Sequence, residues 1–220
     1  MERRLRFNSG IVSHQMRQVY DQMASRFATI HPNMPIDLIS FATDFLDFVG
    51  DRLILDLGCG SGRDMAWFTA QNRQIIGADL SAGMLIEARR QTNNPLLQMD
   101  MCRPAFVPQS FQGIWCNAAL LHLPKQVVPQ TLSLIHRLLS PDGILFLTLQ
   151  YGSGEGWEAW QHDKSFERFF ARYQPSEAVA ILTQGGFVIE KQSTQPSNNP
   201  IWLHFLATAR SIRSGLVCRG

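Results

Sequence analysis

At 220 residues and 24.9 kDa, the chain fits one domain, or one domain with an appended cap, and buries a core without disulfide or metal staples. Hydrophobic residues at 45% and charged residues at 17% exclude wholesale disorder and a coiled coil. A net charge of +2 excludes nucleic-acid recruitment by charge alone, and the clusters Arg3, Arg4, Arg6 and Arg210, Arg213, Arg219 read as solvated termini. Cys59, Cys102, Cys116 and Cys218 form no CxxC pair, and the histidines show no HxxxH spacing. The expectation is a reduced, cytoplasmic protein without a metal. No apolar run near the start resembles a signal peptide, and Ile201 to Ala209 is too short to cross a bilayer, so no membrane partner is expected.

In chain order, Ser13 to Ile30 reads as a helix with Val19, Met23 and Phe27 on one face. His31 to Pro35 breaks it, and Ile36 to Val49 forms a second amphipathic stretch ending at Gly50. Then the period changes. Leu53 to Gly58 is a short, nearly continuous apolar run, as expected of a strand covered on both faces. Gln74 to Asp79, Leu96 to Asp100, Phe111 to Asn117 and Gly143 to Leu149 have the same character. Helical stretches separate them: Asp64 to Ala70, Ala82 to Gln91 and Lys125 to Leu139. This alternation predicts βαβ units and a parallel sheet with helices on both faces. Pro175 and Gly185 frame one more helix, and Gly186 to Lys191 and Ile201 to Ala207 read as a terminal antiparallel hairpin. The two leading helices fall outside this plan and are expected to pack across one end of the sheet. Trp157, Trp160, Phe166, Phe169 and Phe170, in the insert before the last helix, read mainly as core packing at helical spacing.

Ligands of such sheets bind beyond the carboxyl ends of the strands. The first strand ends in Asp56-Leu57-Gly58-Cys59-Gly60-Ser61-Gly62-Arg63, three alternating glycines before a helix whose N-terminus favours negative charge. Asp56 is placed to hold that turn or to receive a ligand's ammonium group. Asp79, at the tip of the second strand, suits two ribose hydroxyls, and Ser81 can cap the following helix in its stead. Asp100, one strand further out, suits an adenine amino group; turn or cap roles are the alternative for both. A dinucleotide fingerprint would read GxGxxG, whereas here the third glycine arrives one residue early, and Arg63 stands in its place. The Walker pattern is absent.

LDLGCGSGRD, GADLSAGML, the Asp100 position, FQGIWCNAALLHLP and HRLLSPDGILFLTL together resemble, in order, the motifs of class I S-adenosylmethionine-dependent methyltransferases. The resemblance spans about Leu53 to Ala209 and implies a Rossmann-like α/β fold: a seven-stranded sheet, mostly parallel, with an antiparallel last strand. With it goes a division into an N-terminal helical cap or lid (1–50), a cofactor-binding core (51–209, insert about 151–174) and a tail (210–220). By resemblance, Asp56, Gly58, Cys59, Gly60, Gly62 and Arg63 form the methionine-binding loop. Asp79 holds the ribose, Leu80, Met84, Asp100 and Met101 flank the adenine, and Asn117 lines the floor. Tyr20, in the stretch to Phe27 that resembles the family's leading helix, closes over the sulfonium, a cation that an aromatic face attracts.

Methyl transfer from a sulfonium is an in-line displacement, so alignment and exclusion of water supply much of the rate. His122, after the fourth strand and before Pro124, is the catalytic candidate, as a base or as an orienting group in the loop. Tyr151, Trp157 and Arg168 are the candidate acceptor contacts, Arg168 because a cation beside aromatics suits an acidic or planar acceptor. The run after the fourth strand, Asn117-Ala118-Ala119-Leu120, lacks the Asn/Asp-Pro-Pro-Tyr pattern of DNA and protein amide methyltransferases, and no acidic metal cluster follows it. The expected reaction is therefore metal-free methylation of an O, N or S atom of a small molecule. The alternatives are an RNA methyltransferase, a non-catalytic cofactor-binding regulator and an NAD-dependent oxidoreductase.

Overall fold

The computed structural model describes residues 8–195 and 200–209; the terminal arginine clusters, Cys218, the expected tail and positions 196–199 lie outside them. The apolar runs form β1 (Ile54–Leu57), β2 (Ile75–Asp79), β3 (Leu96–Gln98), β4 (Phe111–Cys116) and β5 (Leu139–Tyr151). Every residue of β1 and β4 is buried, as continuous apolar strands between two helical layers must be. The late strands β8 (Phe187–Gln195) and β9 (Trp202–Ala209) complete an order β3-β2-β1-β4-β5-β9-β8. Only β9 runs against its neighbours in this path.

Among the described residues, six α-helices surround the sheet: α1 (Ser9–Ile30), α2 (Ile36–Val49), α3 (Arg63–Ala70), α4 (Ala82–Gln91), α5 (Val128–Leu138) and α6 (Pro175–Gln184). On one face, Phe41, Phe45 and Val49 of α2 and Phe68 of α3 pack with Trp115 and Phe146. Full burial of side chains of this size contributes about 1.5–3 kcal/mol each. On the other face, Leu132 and Ile135 of α5 and Leu182 of α6 pack over Leu145 and Leu147. The sheet thus has a helical layer on each side.

Two expectations need correction. First, α2 lies flat on a face of the sheet rather than across its end, because it is apolar enough to replace a layer; the end is crossed by α1 alone. There Asn8 caps α1, Asp21 bonds Ser81 and Gly83 at the start of α4, and Met16 packs under Phe169. Second, the insert, expected to pack at helical spacing, is a hairpin of β6 (Glu155–Trp160) and β7 (Asp163–Tyr173), which adds two strands to the expected seven. β9 occupies one edge of β5 through Gln150, so β7 takes the other edge, pairing Gln150 with Arg172 and Tyr151 with Tyr173 beyond the last pair of β4, Cys116 with Leu147. The hairpin therefore hangs over the carboxyl ends of β1 and β4.

Candidate active site

β1 and β4 are neighbours from which the chain order runs outward in opposite directions, the position where open α/β sheets bind ligands. A cavity of about 670 Å³ opens there, within the range of small-ligand sites. Its lining includes Asp56, Gly58, Cys59, Gly60, Arg63, Asp79, Leu80, Met84, Asp100, Met101 and Asn117 from the sheet side. Tyr20, His122 and Arg168 reach it from α1, the turn after β4 and β7. Gly62, Tyr151 and Trp157 do not line it. Gly62 is the left-handed cap residue of α3, Tyr151 is exposed at the end of β5, and Trp157 packs against Phe169.

The glycine loop leaves β1 in a shape that side chains resist. Gly58 has φ +83, and a Cβ there would lie 2.3 Å from that of Ala119. Gly60 has φ +53 with no atom within 4 Å of the same position, so bare backbone faces open space. Asp79 organises this loop: one carboxylate oxygen accepts the Gly60 N–H at 2.8 Å, and the other accepts the Ser81 N–H at 2.9 Å. Ser81 caps α4 by accepting the Met84 N–H, so Asp79 is not spent as a helix cap. Asp100 lies in the turn after β3 and accepts the Cys102 N–H at 2.8 Å.

Asp56 is different. It is buried, and its Oδ2 has no hydrogen-bond partner. Burial pushes its carboxyl well above the usual range, and the neighbouring charge of Asp64 adds to the rise. A buried carboxyl group with an unpartnered oxygen on the cavity wall is a receptor for a cation. An ammonium group seated there would restore the missing bonds and draw the carboxyl back to its charged form. Asp64, to which the sequence reading gave no role, is the hub of the floor. Its carboxylate accepts from Arg63 Nε at 2.7 Å, Trp115 Nε1 at 2.9 Å and Asn117 Nδ2 at 2.8 Å. Asn117 in turn accepts from Thr148. Its signal in the sequence was an acidic residue in the first helical turn, directly after the glycine loop.

His122 is partly buried, with both ring nitrogens engaged. Nδ1 lies 2.6 Å from the Phe169 carbonyl oxygen, which can only accept, so Nδ1 carries the proton. Nε2, 2.7 Å away, then accepts from the Tyr20 hydroxyl. Burial pushes the imidazole down to about 3, and the Arg168 cation acts in the same direction. It is neutral at physiological pH, a poor proton acceptor and a firm anchor for Tyr20. Gln150 Oε1 and His204 Nδ1, also on the cavity wall and also missed in the sequence, are buried without partners.

A family described as "Methyltransferase domain" matches residues 54–143. This segment matches a methyltransferase domain. A malonyl-[acyl-carrier protein] O-methyltransferase from Enterobacter lignolyticus is 29% identical over 146 residues, covering 64% of this chain and 57% of that protein. The chain thus spans little more than half the length of that curated relative. Solved methyltransferases share the fold of most of this chain. The 1,6-didemethyltoxoflavin-N1-methyltransferase of Burkholderia thailandensis, solved with its substrate and S-adenosylhomocysteine, aligns with TM-score 0.75 at 18% identity, covering 96% of this chain and 94% of that one. The magnesium protoporphyrin IX methyltransferase of Synechocystis, solved with S-adenosylmethionine, aligns with TM-score 0.70 at 15% identity, covering 95% and 100%. In the chain described here, the Asp56 orphan, the open side of Gly60 and the acidic strand ends fit an amino-acid nucleoside such as S-adenosylmethionine.

Proposed function

We propose that the protein transfers a methyl group from S-adenosylmethionine to an oxygen, nitrogen or sulfur atom of a small molecule. The observation that carries this reading is the unpartnered Asp56 carboxylate beside the bare Gly60 backbone, in one cavity with Asp79 and Asp100. The cofactor supplies an activated methyl on a sulfonium. In this reading Asp56 receives its ammonium, Asp79 its ribose hydroxyls, and Asp100 with Met84 and Met101 its adenine. Tyr20 closes the site and excludes water. His122 acts as a positioning residue that fixes the Tyr20 hydroxyl, rather than as the base. The acceptor atom then needs a free lone pair at neutral pH. No helix among the described residues is long and apolar enough to cross a membrane. A cytoplasmic location is part of the proposal, in keeping with the free thiols of Cys59, Cys102 and Cys116.

Calorimetry with S-adenosylhomocysteine tests the reading. A charge-assisted hydrogen bond contributes about 1.5–3 kcal/mol, so Asp79→Ala is expected to weaken binding at least tenfold. A change below threefold refutes the ribose assignment. Binding of NAD by a protein that ignores S-adenosylhomocysteine would replace the methyltransferase reading with the oxidoreductase one.

A further inference from the structure

The β6–β7 hairpin forms the cavity wall facing the acidic strand ends, with Glu158, Trp160, Arg168, Phe170 and Arg172 on the lining. The cations around the cavity differ in their partners. Arg63 is paired with Asp64, and Arg172 is held bidentately by Glu158. Arg17 and Arg168 pair with no carboxylate among the described residues, and of the two it is Arg168 that is set against aromatic rings with a buried, unmet donor. Its guanidinium carbon lies 5.0 Å from the Phe170 ring centre and 5.7 Å from that of Trp160. Its Nε is buried without a hydrogen-bond partner. The guanidinium also acts on the Tyr20 hydroxyl through its charge and a hydrogen bond, both of which favour ionisation against the stronger effect of burial, so the unmet donor is Nε.

Aromatic rings hold a guanidinium in place but accept none of its in-plane N–H bonds. A cation so held, with a buried donor unmet, is poised for an acceptor group that arrives with the ligand. A planar carboxylate matches the fork with two parallel bonds and fits a slot bordered by flat rings. We propose that Arg168 is a specificity-determining residue that grips a carboxylate of the methyl acceptor between Trp160 and Phe170. This rests on the methyl-transfer reading, because it takes the neighbouring acidic half of the cavity as the cofactor's. An anionic acceptor also suits that neighbour, since a sulfonium attracts it. Methylation then removes the attraction and eases release of both products.

The test is calorimetry and ligand-observed NMR on the full chain saturated with S-adenosylhomocysteine. The probes are benzoate and phenylacetate, their neutral amides, and phenyl phosphate. Expected are binding of the carboxylates over the amides by at least tenfold, and loss of that preference in Arg168→Gln. Arg168→Lys is expected to recover part of it, because charge survives but the fork does not. Unchanged S-adenosylhomocysteine affinity in each variant reports an intact fold. Equal binding of acids and amides, carboxylate binding undiminished in Arg168→Gln, or no binding of any acid at millimolar concentration overturns the proposal. Preference for phenyl phosphate would overturn the carboxylate and assign the site to a phosphate. If the wild-type protein ignores S-adenosylhomocysteine yet binds carboxylates through Arg168, the cofactor reading fails and the anion site stands.

Discussion

The Tyr20–His122 pair sets a stability signature that a surface histidine would not have. The His122 imidazole in the fold titrates at about 3, below its ordinary value of 6.5. Its contribution is therefore complete above pH 6.5 and is lost as pH falls towards 3, because the unfolded chain takes up the proton first. Between pH 7 and pH 5 this single site should remove about 2 kcal/mol. Denaturant titrations of the wild type and His122→Gln at both pH values should differ by that amount in their pH response. Parallel responses would mean that the imidazole is not sequestered. The sequence placed His122 at the right strand tip, but not its tautomer. That is set by the Phe169 carbonyl, 47 positions away, and contacts so distant leave no local pattern. Asp56, Asp79 and Asp100 were legible because a strand tip fixes where a residue stands. Gln150 and His204 were not, since residues of ordinary late strands carry no turn or cap signal.

Among the elements, α1 is held over the cavity by polar contacts and by one close approach. Asp21 accepts from Ser81 Oγ at 2.6 Å and from the Gly83 N–H at 2.9 Å. A Cβ on Gly83 would lie 2.7 Å from the Asp21 carbonyl oxygen. In an ordinary helix, Gly→Ala stabilises by about 1 kcal/mol; here the new methyl meets backbone. Gly83→Ala should therefore push α1 outward, speeding amide exchange across Tyr20 to Phe27 at least tenfold while leaving β1 and β4 protected. Unchanged protection of α1 would show that the helix sits there independently of this contact. The boundaries of α2 and α4 were read correctly to the residue. The hairpin was misread for a physical reason: Phe166, Phe169 and Phe170 recur at helical intervals. In the strand, Phe169 enters the core beneath α1 and Phe170 faces the cavity. Both sides of β7 are apolar near its end, which erases the alternation that identifies a strand.

At the scale of the whole molecule, α2 is a layer of the fold rather than an appendage. It passes so close to β4 that a Cβ on Gly113 would lie 2.5 Å from both Phe45 Cζ and Val49 Cγ2. Gly113→Ala overfills that contact and is expected to cost about 1–3 kcal/mol of global stability. Chemical denaturation should show it as a lower midpoint with one transition. A separate early transition would show instead that α2 melts apart from the sheet.

The hairpin joins β5 through two residue pairs, Gln150 with Arg172 and Tyr151 with Tyr173, at the far end of that strand. The register of β1, β2, β4 and β9 does not pass through it. Insertions or deletions between Gly152 and Arg172 can thus accumulate without displacing the glycine loop. Selectivity in such an architecture diversifies as a cassette. Descendants of one scaffold can change the molecule they accept while inheriting the glycine-loop site intact.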